Sequence, residues 1–260
     1  MTPAYVEYAE RDGIGYITLN RPEVLNALND DVIKQLREVL FQFDDDPNAL
    51  VGILSGSGRA FCSGADIKQR QLRPREELAR LGSPQGRGAH IEDLFQRFVN
   101  WKPIIAAVHG YAIGAGFHMA LMCEMIVADE GAQFWIPEIP RGLWVANFWM
   151  LLSHRTGGGF ATDVCLTARY FSAEEAHRRG AIDRVVPSGS HMEGAETLAR
   201  AITVHPPLAV REAVQIRRGA MEELELASRL ARRRDLHLTE DFRESATAFA
   251  EKRTPTFYGR

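Results

Sequence analysis

The spacing of apolar positions changes several times along this chain, and each change marks a predicted element. Between Val6 and Leu19 apolar and polar residues flank Asp12-Gly13, which predicts two short strands joined as a hairpin. Asn29-Asp30 then offers an N-cap, after which Val32, Ile33, Leu36, Val39, Leu40 and Phe43 recur at helical intervals until Asp44-Asp-Asp-Pro47 stops them. Leu50–Leu54 is a short apolar strand, so the order strand–helix–strand predicts a βαβ unit with a right-handed crossover. Residues 70–90 mix Arg, Pro and Gly with Leu and Glu without a clean period, the pattern of a mobile surface loop with one helical turn at Arg75–Leu81. Ile91, Leu94, Phe95, Phe98 and Val99 predict an amphipathic helix ending before Pro103. A strand at Ile104–Val108, a helix from Gly114 and a strand at Glu124–Ala128 follow. Further helices are expected over Gly157–Leu166 and after Ser172, which begins a capping-box arrangement. From about Gly194 strand patterns disappear, and residues 194–204, 207–235 and 240–252 read as helical. Two regions are therefore expected: an α/β core over 1–193 and a helical region over 194–260.

Two segments stand out chemically. Ala60-Phe-Cys-Ser-Gly-Ala-Asp-Ile-Lys68 and Pro103–Ala120, the latter containing Gly110-Tyr-Ala-Ile-Gly-Ala-Gly116, each pass from a strand or strand exit through small residues into helix-compatible sequence. Small residues there let another backbone or a ligand approach closely. A helix start presents unpaired N–H groups and the positive end of its dipole. Two such turns can aim two N–H groups at one developing oxyanion, a device for carbonyl chemistry. The plain alternative is a pair of strand-to-helix turns in which glycine relieves sterics.

Composition narrows the class. A chain of 260 residues is ample for one sizeable core, and a formal charge of −3 gives no reason to expect a nucleic-acid partner. The basic run Arg232–Arg234 has acidic neighbours and reads as a solvated or interfacial helix face. Three widely spaced cysteines, Cys62, Cys123 and Cys165, with no metal-ligand spacing, fit free thiols in a reducing cytoplasm. No metal site, membrane span or targeting segment is expected. His90, His154, His177, His191, His205 and His237 are scattered without ligand spacing, whereas His109 sits where it could support the second turn by hydrogen bonds.

The two segments, in this order, resemble the enoyl-CoA hydratase/isomerase (crotonase) family. Ile17–Leu28 resembles that family's opening strand and turn, and Ala132-Gln-Phe-Trp-Ile-Pro-Glu138 its second catalytic strand. Leu166–Ala176, Gly180–Val186 and Ala248–Arg253 resemble later landmarks, so the resemblance spans nearly the whole chain. It implies a ClpP-like spiral of ββα units, with a C-terminal helical region that packs subunits into a trimer or hexamer. It also implies an acyl-CoA thioester as substrate, with coenzyme A arriving as part of that substrate and no other cofactor. The oxyanion-hole N–H groups would be those of Ala65 and Ala115. The edge comprising Ala60, Cys62, Gly64, Ala65, Ile67 and Lys68 would bind CoA, joined by Lys252 from the C-terminal region; without the resemblance both lysines read as solvated surface charges.

At the acid–base positions the chain departs from the family's hydratases, which use two glutamates. The second is Glu138, which a setting of Phe-Trp-Ile-Pro should desolvate and raise in pKa; a capping role in the next turn is the alternative. The first position is His118, three residues after Ala115 and so expected on the same helix face, toward the same cavity. It reads either as a general acid–base or substrate contact or as a satisfied core histidine. Trp144-Val-Ala-Asn-Phe-Trp-Met150 replaces a glycine-rich turn, and Trp144 and Phe148 are expected to shape the acyl pocket, or else to be core. The expected activity is hydration of a 2-enoyl-CoA. The alternatives are isomerisation of a 3-enoyl-CoA with Glu138 as single base, hydrolysis through a related enolate, and a non-catalytic acyl-CoA-binding protein.

Overall fold

The computed structural model of the chain describes residues 3–81, 101–231 and 235–260. The expected helix over Ile91–Val99, His90, the last part of the 70–90 loop and the basic run Arg232–Arg234 lie outside these residues.

The hairpin forms as the alternation predicts. β1 (Val6–Arg11) pairs antiparallel with β2 (Ile14–Leu19), and Asp12 and Gly13 both turn through positive φ. α1 (Asp30–Asp45) buries the six apolar residues named above, and the Asn29 side chain accepts the Val32 N–H as its N-cap. At its far end the Lys102 ammonium donates to the carbonyls of Phe43, Asp44 and Asp46, so a buried cation completes a helix C-terminus.

β3 (Val51–Gly56), β4 (Ile104–Val108), β6 (Met125–Asp129) and β9 (Arg184–Val186) extend the hairpin into a six-stranded sheet ordered β1-β2-β3-β4-β6-β9. From β2 onward every pair is parallel. β4 shows why its sequence is apolar throughout. Ile104, Ala106 and Val108 enter the main core, whereas Ile105 and Ala107 enter a second cluster on the other face. A smaller sheet contains β5 (Tyr111–Ile113), β7 (Gln133–Trp135) and β8 (Phe171–Ser172). Long strand, short strand and helix repeat along the chain, as in β4-β5-α4 with α4 at Ala115–Met122, which is the expected ββα spiral.

Residues 67–81 hold two short helices, α2 (Ile67–Arg70) and α3 (Arg75–Leu81), so the expected turn at 75–81 is a helix. α5 (Ala146–Thr156) and α6 (Gly158–Thr167) pack on each other, and α7 (Ala173–Arg178) follows β8. Ser172 Oγ accepts the Glu175 N–H at 3.2 Å, but the Glu175 carboxylate pairs with Arg169, so half of the capping box forms.

The strand-free stretch is not uniform. α8 (His191–Thr203) lies on β3, β4 and β6, with Ala195 and Ala199 in the second cluster; a boundary at 193/194 thus falls inside a helix of the core. α9 (Pro207–Ala231) packs on α5, and Arg218 fixes it by a paired contact to Glu124 at 2.9 and 3.1 Å. α10 (Glu240–Glu251) returns to the turn after Pro137: Ser245 Oγ donates to the Pro140 carbonyl at 2.9 Å. Among the described residues no helix is long and apolar enough to cross a membrane.

Candidate active site

A cavity of about 910 Å³ opens where the ends of the two small-residue segments meet the turn after β7 that carries Glu138. Its construction starts at Asn26. This side chain is buried, with φ at 56°, a conformation asparagine tolerates. It donates to the carbonyls of Ser57, Ala60 and Phe61 and accepts the Arg21 N–H, which ties the opening turn to the 57–61 segment. The chain then runs alongside β5: Cys62 N–H donates to Tyr111 O and Ile113 N–H to Cys62 O.

Ala65 bridges Leu28 in a parallel sense. Leu28 N–H donates to Gly64 O, and Asp66 N–H donates to Leu28 O. In that pattern the neighbours of Ala65 supply the bonds, and its own N–H faces the other way, toward the cavity that Ala65 lines. Ala115 is the first residue of α4, where an N–H has no intrahelical acceptor. Among the described residues neither N–H has a backbone acceptor. Gly64 brings the two turns together. Its φ is +88°, and a Cβ there would lie 2.6 Å from Ile113 O and 3.6 Å from the Ala115 nitrogen. The arrangement can hold one oxyanion between two backbone donors.

Glu138 lies across from them. The space for a Cβ on Gly114 is 3.0 Å from Glu138 Oε1, so the carboxyl stands against the start of α4. Its Oε2 is buried without a hydrogen-bond partner among the described residues. Burial pushes the Glu138 pKa up to about 8, opposed weakly by its own backbone N–H and by the Arg141 charge. The expected desolvation is therefore present.

The remaining expected residues divide. Gly64, Ala65, Ile67, Lys68, Ala115, Trp144 and Phe148 line the cavity. Ala60 and Cys62 do not: both are fully buried beneath it. The Cys62 thiol bonds Asn26 O, and burial pushes its pKa up to about 12, so it acts as packing. Lys252 is exposed and ends α10 in a left-handed conformation; Phe249, one turn earlier, is the residue of that helix on the cavity wall. His118 departs most from expectation. It is buried in α4 and is not among the lining residues; its ring stands edge-on to Phe148, centroids 5.1 Å apart, and Phe148 presents the surface to the cavity. His109 bonds the Gly58 carbonyl at 2.9 Å, the supporting contact foreseen for it. Among the described residues no group of His, Cys, Asp and Glu is arranged to hold a metal.

Several lining residues were not singled out in the sequence: Trp135 and Tyr170, which stack at 4.7 Å, Asn147, Phe249 and Arg141. For Arg141 a signal existed. Residues 137–141 form one helical turn, since Arg141 N–H bonds Pro137 O. The bonds Leu143 N–H to Glu138 O and Gly142 N–H to Ile139 O, with Gly142 at φ +66°, close it as a Schellman motif. Glu138 and Arg141 are i, i+3 on that turn and share its cavity face.

Comparison with known proteins places the chain among relatives of one family. The model of the enoyl-CoA hydratase/isomerase family matches residues 9–260. A probable enoyl-CoA hydratase of Mycobacterium tuberculosis is 36% identical over 263 residues, covering 96% of this chain and 97% of that protein. The 2,3-dehydroadipyl-CoA hydratase of Escherichia coli is 36% identical over 250 residues, covering 94% of each. A solved structure of a carnitinyl-CoA dehydratase from Mycobacterium avium superposes with a TM-score of 0.79 at 33% identity, over 98% of this chain and 99% of that one.

Proposed function

The chain belongs to the enoyl-CoA hydratase/isomerase family and has its crotonase spiral fold, and from that premise we propose that it hydrates a 2-enoyl-CoA with Glu138 as the acid–base group. The observation carrying this reading is one desolvated carboxyl facing two unpaired backbone N–H groups across a single cavity. The Glu138 carboxylate takes a proton from water as the water oxygen bonds to C3. The C2–C3 π electrons move toward the thioester, whose oxygen gains charge between the Ala65 and Ala115 N–H groups. Collapse of the enolate takes the proton back at C2, leaving Glu138 as it began. His118 has no part in these transfers.

One observation favours a second reading. His118 stands behind Phe148, which leaves Glu138 as the desolvated carboxyl near the two N–H groups, and one such proton carrier is all that shifting a double bond from C3 to C2 requires. Supplying the purified protein separately with a 2-enoyl-CoA and a 3-enoyl-CoA decides between them. Hydration predicts 3-hydroxyacyl-CoA from the first substrate. Conversion of the second alone identifies the isomerase, and turnover of neither removes both in favour of a binding protein.

We further propose a trimer or hexamer in the cytoplasm. The three cysteines are buried free thiols. Leu208, Ile216, Leu226 and Leu230 are 77, 72, 57 and 70% exposed, and at 100° per residue they fall on one side of α9, an apolar face that a neighbouring subunit would cover. Light scattering at micromolar concentration is expected to give at least three times the 29.1 kDa chain mass, and a monomer mass would refute the assembly.

A further inference from the structure

The names of the relatives carry different acyl groups, and the cavity of this chain holds an arginine that the proposed proton transfers leave unused. Arg141 lines it, half-buried, in company with Leu143, Trp144, Phe148 and Phe249. Its guanidinium sits 4.1 Å from the centre of the Phe249 ring. Among the described residues it forms no ion pair and no side-chain hydrogen bond: Glu138 is near enough to influence it but not to pair with it. A partly desolvated cation without an anion costs free energy that a bound anion would return. The planar fork of arginine suits a carboxylate, which can accept two parallel N–H bonds.

We propose that Arg141 recognises a carboxylate at the far end of the acyl chain, so that the preferred substrate is a CoA thioester whose acyl group ends in a carboxylate. The spacing fits. Glu138 and Arg141 stand one helical turn apart on the same face, with Cβ atoms roughly 5–6 Å from each other. An acyl chain that presents C2 and C3 to Glu138 reaches the guanidinium with a few more carbons. The Schellman turn fixes both side chains on one rigid unit, and the Ser245–Pro140 contact holds that unit against α10, so the distance between base and cation is built in. Among the described residues the cavity also has the cations Arg21, beside the 64–69 segment, and Lys68, within it; Arg21 is already paired with Asp66 at 3.3 Å. This proposal rests on the acyl-CoA reading above.

The phosphates of CoA are the other anions that could meet Arg141, and the test separates them. Calorimetry on the intact protein uses three unreactive ligands: adipyl-CoA, which ends in a carboxylate, hexanoyl-CoA of equal chain length, and CoA. Adipyl-CoA is expected to bind at least about tenfold more tightly than hexanoyl-CoA, as a charge-assisted bidentate contact implies. Arg141→Met should bring the two within about twofold while CoA binding holds, and Arg141→Lys should keep part of the preference. Equal binding of the two esters by the parent protein would overturn the proposal. An equal loss for all three ligands in Arg141→Met would assign the residue to a phosphate instead. If none of the three binds the parent, the acyl-CoA reading itself fails. Should Arg141→Met not fold, the parent comparison and Arg141→Lys still decide.

Discussion

Glu138→Gln is expected to lower kcat by about a thousandfold, in the middle of the range for losing a positioned general acid–base. KM should move little, because the amide keeps the shape and removes a proton transfer made in the transition state. The parent protein should show a kinetic limb near pH 8, where burial places the Glu138 pKa, with activity rising as the carboxyl becomes the base. The Gln variant should lack that limb. The same shift has a stability consequence of defined sign. A carboxyl whose pKa is about 8 folded and about 4.5 unfolded binds its proton more tightly in the folded state. Its contribution is complete below the unfolded value and is lost as pH rises through the folded one. Thermal melting at pH 9 should therefore find Glu138→Gln more stable than the parent, with the difference shrinking toward pH 4. By contrast, His118→Leu should change kcat by less than about tenfold, since His118 does not line the cavity. A loss as deep as that of Glu138→Gln would restore His118 to the mechanism, and a fully active Glu138→Gln would remove Glu138 from it.

The second large effect is expected at Gly64→Ala, a change of one methyl group. At φ +88° the new Cβ would stand 2.6 Å from the Ile113 carbonyl oxygen, so the backbone must move. What it moves is the peptide leading into Ala65 and the edge that faces Ala115. Losing the aim of one oxyanion donor costs about a hundredfold to a thousandfold in kcat. Circular dichroism and assembled mass should stay those of the parent, because the strain is confined to a turn outside the main sheet. Unaltered kcat in a folded Gly64→Ala would show that the Ala65 N–H does not meet the developing charge.

Some of this site was legible because its chemistry is local. Gly64 and Gly114 sit where the backbone must take positive φ, and the run from Phe134 to Pro137 before Glu138 is apolar enough to desolvate a carboxyl. For His118 the sequence left two roles open, for a physical reason. Helical spacing put it near Ala115, but Gly116 through Met122 are all buried, so α4 has no polar side from which to judge which way a residue looks. The element that screens it, Phe148, comes from a helix thirty residues later, and no local period reports that contact. Asn26 and Phe249 are hidden likewise, since their roles lie in partners distant along the chain. Arg141 could have been found from Glu-Ile-Pro-Arg-Gly, where the glycine marks the end of a turn and the spacing of three sets two charges side by side.

The contact of α10 with the 137–143 turn carries a consequence for biosynthesis. Translation delivers Gly64, Gly114 and Glu138 long before Ser245 and Phe249, and domains fold broadly in the order they are made. A nascent chain that has built its spiral thus holds both amide donors and the carboxyl while the wall bearing Phe249 is still missing. In that interval the cavity stands open beside Arg141, whose guanidinium lacks the Phe249 ring it rests on in the finished fold. The wall around Arg141 is completed only when α10 docks, so an unfinished polypeptide has the donors and the carboxyl before it has the closed end of the cavity.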